Sequence, residues 1–320
     1  MINENFNDII KELTRSISIN QMEMENLFLS AYYRGNRDKG QKLNSLSSDS
    51  QRLAYLISRA PATYAAVVQV LMRIQGRMDG YAPSTLLDIG SGPGTALWAA
   101  LEVFPEIQAG ILVERDRGFI ALSQKIAKNL QGIDLKWVNS DFTAFSPQGK
   151  ADLVIASYSL GELADAELAG ALSSLWQATG QVLAILEPGT PVGFSRILKM
   201  RQFLIDQGAH LLAPCPHAQM CPLPTEDWCH FSARVERSSL HRKLKGGSLN
   251  YEDEKYCYLV FSKEKIERCQ SRIVRHPLYG SGFVKFKVCA ENGLEEKTIT
   301  KNNKEDYKNC RKLKWGDDLK

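Results

Sequence analysis

The segment Leu86-Leu87-Asp88-Ile89-Gly90-Ser91-Gly92-Pro93-Gly94-Thr95 constrains the fold more than any other part of the chain. An apolar, strand-like run ends in an acid and an isoleucine. Three glycines at Gly-x-Gly-x-Gly spacing then lead into an apolar run of helical character. Bare backbone at such a strand-to-helix turn lets a ligand approach closely. From about residue 84 the pattern alternates, with strands predicted over 85–89, 111–114, 135–138, 153–157 and 182–187. Helices fit between them, over 95–103, 117–129 and 164–178. That alternation predicts a parallel sheet with crossover helices. A dinucleotide site would want Gly-x-Gly-x-x-Gly, whose third glycine falls on Thr95, and a phosphate loop would want a Lys-Ser/Thr ending that is absent.

The flanks read differently. Apolar spacing predicts helices over 7–14 and 21–33, a polar stretch over 35–50, and a segment from 51 towards 78 that Pro61 breaks or restarts. After residue 187 come a helix over 196–207, a cysteine-rich segment to about 231 and a strand over 256–261. A tail from residue 273, with Gly280-Ser281-Gly282 and an alternating run over 283–288, predicts a small β appendage. The expected division is a helical region 1–80, an α/β domain 81–262 that includes the cysteine segment 213–257, and a basic β region 263–320. Charge is uneven: residues 1–200 hold 18 Lys and Arg against 20 Asp and Glu, whereas 201–320 hold 22 against 16. The later part suits a polyanion such as RNA. No run is long enough to span a membrane.

The glycine spacing is similar to the first motif of class I S-adenosylmethionine-dependent methyltransferases, whose fold is Rossmann-like. Such a cofactor has no pyrophosphate to cradle, so acceptors matter more, and acids stand at three consecutive strand ends. Asp88 would orient the methionine end, Glu114 would accept the ribose hydroxyls, and Asp141 would read the adenine amino group, with Gly90, Gly92 and Gly94 forming the loop. Taken singly, Asp141 is also a helix-capping residue and Glu114 a surface charge. The fourth strand ends Ser157-Tyr158-Ser159-Leu160-Gly161-Glu162, without the Asn/Asp-Pro-Pro-Tyr/Phe of base-amino methyltransferases. Nor does any cysteine precede position 215 to serve as the nucleophile of cytosine-C5 enzymes. A cofactor pocket is predicted; no residue set marks a general base.

Cys215, Cys221, Cys229 and Cys257 lie among prolines, histidines and aromatics. Gathered thiolates hold zinc or an iron–sulfur cluster. Structural zinc sites begin with tight knuckles, whereas the spacing here is Cys-x5-Cys, Cys-x7-Cys and Cys-x27-Cys, which suits a cluster bound from separate loops. His217 and His230 are substitute ligands in the zinc alternative, and buried structural thiols are the bland one. Cys269, Cys289 and Cys310 stand apart in strand- or helix-like contexts and are expected to be ordinary thiols.

Several separated blocks together resemble the methyltransferase-like family of mitochondrial small ribosomal subunit assembly factors, which has bacterial members. They are Pro61–Val67, Asp88–Thr95, Leu186-Glu187-Pro188-Gly189-Thr190-Pro191, Ala213-Pro214-Cys215-Pro216-His217, Cys221-Pro222, Trp228-Cys229-His230-Phe231, His241–Gly247 and Lys314-Trp315-Gly316-Asp317. The resemblance implies a [4Fe–4S] cluster on Cys215, Cys221, Cys229 and Cys257, S-adenosylmethionine binding, contact with small-subunit rRNA and proteins, and a role in maturing that subunit. It leaves rRNA methylation open beside a non-catalytic rRNA-binding scaffold on the same fold, and a zinc-containing methyltransferase of another substrate is the further alternative. Arg242, Lys243 and Lys245 become candidate phosphate contacts. With no basic leader in view, a bacterial cytoplasmic protein is expected, or a mitochondrial matrix protein if a leader has been removed. A monomer is expected.

Overall fold

The apolar run ahead of the glycines forms β1 (Thr85–Ile89), at the centre of an eight-stranded sheet. Its parallel partners are β2 (Ala109–Glu114) on one side and β4 (Ala151–Ser157) on the other. Beyond them lie β3 (Asp134–Asn139) and β5 (Thr179–Pro188), also parallel. The long β8 (Tyr251–Ser262) then runs antiparallel to β5. Its second half also pairs with β6 (His210–Ala213), and its first half with β7 (Phe231–Glu236). The order β3-β2-β1-β4-β5-β8-β6, parallel except for the penultimate strand, is the Rossmann-like methyltransferase sheet expected from the sequence. Chain connections diverge between β1 and β4, and a ligand cleft belongs at such a switch point. The computed structural model describes residues 6–15, 19–36 and 46–319; most of the predicted polar stretch over 35–50 lies outside them.

Alternate residues of each strand serve opposite layers, as a side-chain period of two requires. Leu86, Leu153, Ile155 and Ala184 pack against α4 (Ala60–Gln75) and α5 (Thr95–Val103). Leu87, Ile89, Val154 and Ile185 pack against α7 (Asp165–Ala178) and α8 (Pro191–Asp206). α6 (Arg117–Ile126) follows β2, with Asp116 accepting from the Gly118 and Phe119 N–H groups as its cap. Pro61 lies in the first turn of α4, directly after α3 (Asp49–Ser58), so it marks a fresh start. α1 (Phe6–Thr14) and α2 (Ile19–Asn36) complete the N-terminal helices. The helix predicted over 196–207 starts earlier, at Pro191. Thr190 caps it by accepting from the Gly193 N–H at 3.1 Å, so Glu-Pro-Gly-Thr-Pro is a strand-to-helix turn. Among the described residues no helix is long and apolar enough to cross a membrane.

The tail forms a second, five-stranded antiparallel sheet: β9 (Ser271–Ile273), β10 (Leu278–Gly280), β11 (Phe283–Ala290), β12 (Gly293–Thr300) and β13 (Asp318–Leu319). The inner face of β11, Val284, Phe286 and Val288, is wholly buried and packs with residues of α10 (Lys304–Cys310). One buried guanidinium ties this sheet to the rest. Arg272 donates to the carbonyls of Pro214 (3.0 Å) and Gly316 (2.7 Å) and pairs with Asp318.

Candidate functional site

At the C-terminal ends of β1, β2 and β4, the chain opens a cleft whose free space, mouth included, is about 710 Å³. That lies within the range of small-molecule clefts, roughly 300–1,000 Å³. Gly90, Gly92, Glu114, Asp141, Ser157, Tyr158 and Ser159 are among its lining residues. Gly90, Gly92 and Gly94 all have positive φ, which the turn needs. A Cβ on Gly90 would sit 2.5 Å from the Ser159 Cβ, and one on Gly94 would sit 2.7 Å from the Ser123 Oγ, so both positions are closed to side chains. Glu114 accepts from the Gly92 and Asp116 N–H groups at 2.9 and 2.8 Å, which fixes its carboxylate at the glycine loop. Burial raises its pKa, and these bonds oppose the rise. Asp141 accepts from the Thr143 N–H and hydroxyl, making a local turn, and Arg115 lies 3.8 Å from its other oxygen.

Asp88 stands apart. It is fully buried, neither carboxylate oxygen has a hydrogen-bond partner, and it lies behind the lining residues. Burial, helped by the nearby Glu114 charge, pushes its pKa up to about 8. Buried polar groups are seldom left unpaired, which sets this acid apart from the other carboxylates of the cleft. The hydroxyls of Ser91 and Ser159, also buried, lack partners too. Tyr158 adopts φ +57, a conformation bulky side chains avoid, where the fourth strand turns into the cleft. Sequence reading missed this strain and missed Ser159 as a wall of the loop.

A second cavity, about 400 Å³ with its mouth, lies where the cysteine segment meets the small sheet. Cys215, Cys221 and Cys229 line it together with Arg201, His217 and Cys289. Cys257, on β8, is not in that lining; its thiol donates to the Cys229 carbonyl at 3.0 Å. Among the described residues no three Cys, His, Asp or Glu side chains close on a common centre as a metal's ligands would. Burial raises the pKa of Cys215, Cys229 and Cys257, and the neighbouring thiols add to it for Cys229. Arg201 opposes that trend. Its buried guanidinium donates to the His217 and Gln219 carbonyls at 2.8 Å each and lowers the cost of charge on Cys215. Three of the four predicted thiols, Cys215, Cys221 and Cys229, thus share one apolar hollow with the buried Arg201 guanidinium.

Two expectations change here. Cys289 lies in a strand, as its context implied, but it is not isolated. Its Sγ is 3.6 Å from His217 Nε2, and burial with the neighbouring thiols pushes its pKa up to about 12. His230 is not at the cavity: it stacks on Trp228 and meets Trp315 edge-on, with centroids 5.2 and 4.8 Å away. The candidate phosphate contacts divide as well. Lys245, at the end of α9 (Ser239–Lys245), pairs with Glu252 at 2.6 Å, and Arg242 donates to Asn250, while Lys243 is exposed. Lys245 is thus a structural ion pair.

The chain is 26% identical over 291 residues to the human ribosome assembly protein METTL17, mitochondrial; the match covers 83% of this chain and 61% of that protein. It is 28% identical over 324 residues to the Rsm22-cox11 tandem protein 2, mitochondrial, of Schizosaccharomyces pombe, covering 84% of this chain and 43% of that one. The chain therefore spans about three fifths of the human relative and under half of the yeast one. Among solved structures, magnesium protoporphyrin IX methyltransferase of Synechocystis PCC 6803 with bound SAM superposes with a TM-score of 0.42 at 12% identity, covering 75% of this chain and 97% of that one. The profile of one family, described as mitochondrial small ribosomal subunit Rsm22, matches residues 49–320, and the chain belongs to that family.

Proposed function

We propose that this chain is an S-adenosylmethionine-binding factor that assembles on small-subunit rRNA and carries an iron–sulfur cluster. The observation that carries the cofactor reading is the cleft: the glycine loop, Glu114 and Asp141 meet at one opening above an unpartnered buried Asp88. S-adenosylmethionine brings a cationic amino group for Asp88, a ribose diol for Glu114 and an adenine for Asp141. It supplies an electrophilic methyl group; the residues named bind and orient it. Cys215, Cys221, Cys229 and Cys257 would hold the cluster, with Arg201 offsetting its negative charge; zinc is the alternative occupant. Family membership and the mitochondrial ribosome-assembly relatives support the small subunit as partner, and they favour a mitochondrial over a bacterial cytoplasmic setting.

A non-catalytic scaffold is the second reading, favoured by the turn after the fourth strand, Ser157-Tyr158-Ser159-Leu160, which lacks the base-amino methyltransferase motif and whose Tyr158 hydroxyl is held 3.3 Å from Glu254. The test is transfer of labelled methyl from S-adenosylmethionine to immature small ribosomal subunits, with anaerobically purified protein and Asp88→Ala as control. Label in rRNA that the variant loses makes the chain an rRNA methyltransferase. Tight subunit binding without label leaves a scaffold. Neither label nor subunit binding overturns both.

A further inference from the structure

The positive charge of this chain is concentrated in its last segment. Residues 263–320 hold 15 Lys and Arg against 9 Asp and Glu, whereas residues 1–262 hold 25 against 27. Within that segment β11 has two unlike faces. Val284, Phe286 and Val288 form the core of the small sheet, while Phe283, Lys285 and Lys287 point the other way. The strand period spaces these three about 7 Å apart. Across from them on β12 stand Thr300, Thr298 and Glu296, and on β10 stands Leu278, 65% exposed. Lys285 and Lys287 are partly exposed, and an ion pair on this face joins Lys285 to Glu296 at 3.4 Å.

Phe283 is 38% exposed, and its position is prepared by its neighbour. A Cβ on Gly280 would fall 2.2 Å from the ring, so the ring lies flat across bare backbone. A ring fixed in that way leaves its other side open for stacking. Lys301 follows β12 at the same end of the hairpin, with its N–H donating to the Gly282 carbonyl. At the opposite end the row runs into Cys289 and Leu294, both walls of the cysteine cavity.

We propose that the outward face of β10, β11 and β12 is a platform for single-stranded RNA, with a base stacked on Phe283 and phosphates on Lys285, Lys287 and Lys301. An exposed aromatic in a row of lysines on an open sheet is the chemistry that takes an unpaired strand: the ring takes a base face and the ammonium groups take the backbone. A duplex hides its base faces and has no use for Phe283. The proposal rests on the RNA-binding reading above and names the surface that does it.

The test is fluorescence anisotropy of the full chain with a short, unstructured A/U oligoribonucleotide across a salt series. The expected result is that Phe283→Leu weakens binding roughly tenfold with the salt slope unchanged, while Phe283→Tyr binds like the parent. Lys285→Gln with Lys287→Gln should flatten the slope by about 1.4, at about 0.7 per lost phosphate contact. A duplex of the same sequence should compete poorly. Thermal melting of each variant reports folding, and Phe283→Tyr and the glutamine pair keep the test decisive if Phe283→Leu unfolds. RNA binding that persists within about twofold in every folded variant overturns this platform and leaves the RNA reading intact on another surface. A parent chain that binds neither oligonucleotide nor small subunit at low salt overturns the platform and that reading together.

Discussion

Asp88 concentrates the consequences of burial in one side chain. Its carboxyl keeps its proton in the folded chain up to about pH 8, whereas in an unfolded chain it releases it near pH 4. Between those values the folded state holds more protons, so this acid costs stability as pH rises, and the cost is absent below about pH 4. Asp88→Asn should therefore stabilise the ligand-free protein increasingly as pH rises from 5 to 8. Melting curves across that range check it, and a gain independent of pH would contradict the assignment. The same variant should bind S-adenosylmethionine more weakly by calorimetry, because an amide cannot give up a proton to become the counter-charge of an ammonium group. Cys229 makes the matching case in the other cavity. Cys229→Ser should yield protein that lacks iron and brown absorbance after anaerobic purification, and unchanged iron content would remove the cluster from this site.

At the scale of elements, the β7–β8 hairpin and α9 are held by one acid. Glu252 takes Arg237 and Lys245 at 2.6 Å and His241 at 3.3 Å, and these partners hold its carboxyl far below the usual range despite its burial. Its contribution is present above about pH 4.5 and is lost as pH falls below that. Glu252→Gln should cost about 2 kcal/mol at neutral pH by denaturant titration, because it leaves partly buried cations without their counter-charge. The network also explains what the sequence conceals. The loop and strand ends at Asp88, Glu114 and Asp141 were legible because apolar runs bounded by glycines and acids carry their own periodicity. β12 was not: Gly293-Leu294-Glu295-Glu296-Lys297-Thr298 packs on a single neighbour and shows no apolar alternation. α9 is short and basic, and its identity rests on Ser238 and a left-handed Gly246 at its two ends. That Lys245 is spent on Glu252 depends on a partner seven residues away across a turn, which spacing alone does not disclose. Cys289 was misjudged for the same reason, since only the pairing of β11 with β9 and β12 carries it to the cavity.

Across the whole molecule, Arg272 is the connection on which the two sheets depend. It is 1% exposed and binds Pro214, next to Cys215, as well as Gly316 and Asp318 from the tail. Around it, Arg73 of α4 pairs with Asp317 at 2.7 Å, and Arg77 pairs with Asp318. Arg272→Met fills much of the volume but leaves those carbonyls without donors, at a cost of about 3 kcal/mol. Limited proteolysis should then cleave between the sheets, in the stretch after β8, at protease levels the parent resists. A variant as resistant as the parent would show that the sheets hold together without Arg272.

Chain order gives the second cavity a timetable. Its walls come from Arg201, from the segment 214–229, and then from Arg272, Cys289 and Leu294. Arg272 is itself held by Gly316. During synthesis Cys215, Cys221 and Cys229 are all made before Cys289 and Leu294, which complete the cavity wall. Those three thiols thus lack their far wall until some sixty further residues, from Cys229 to Cys289, have been made.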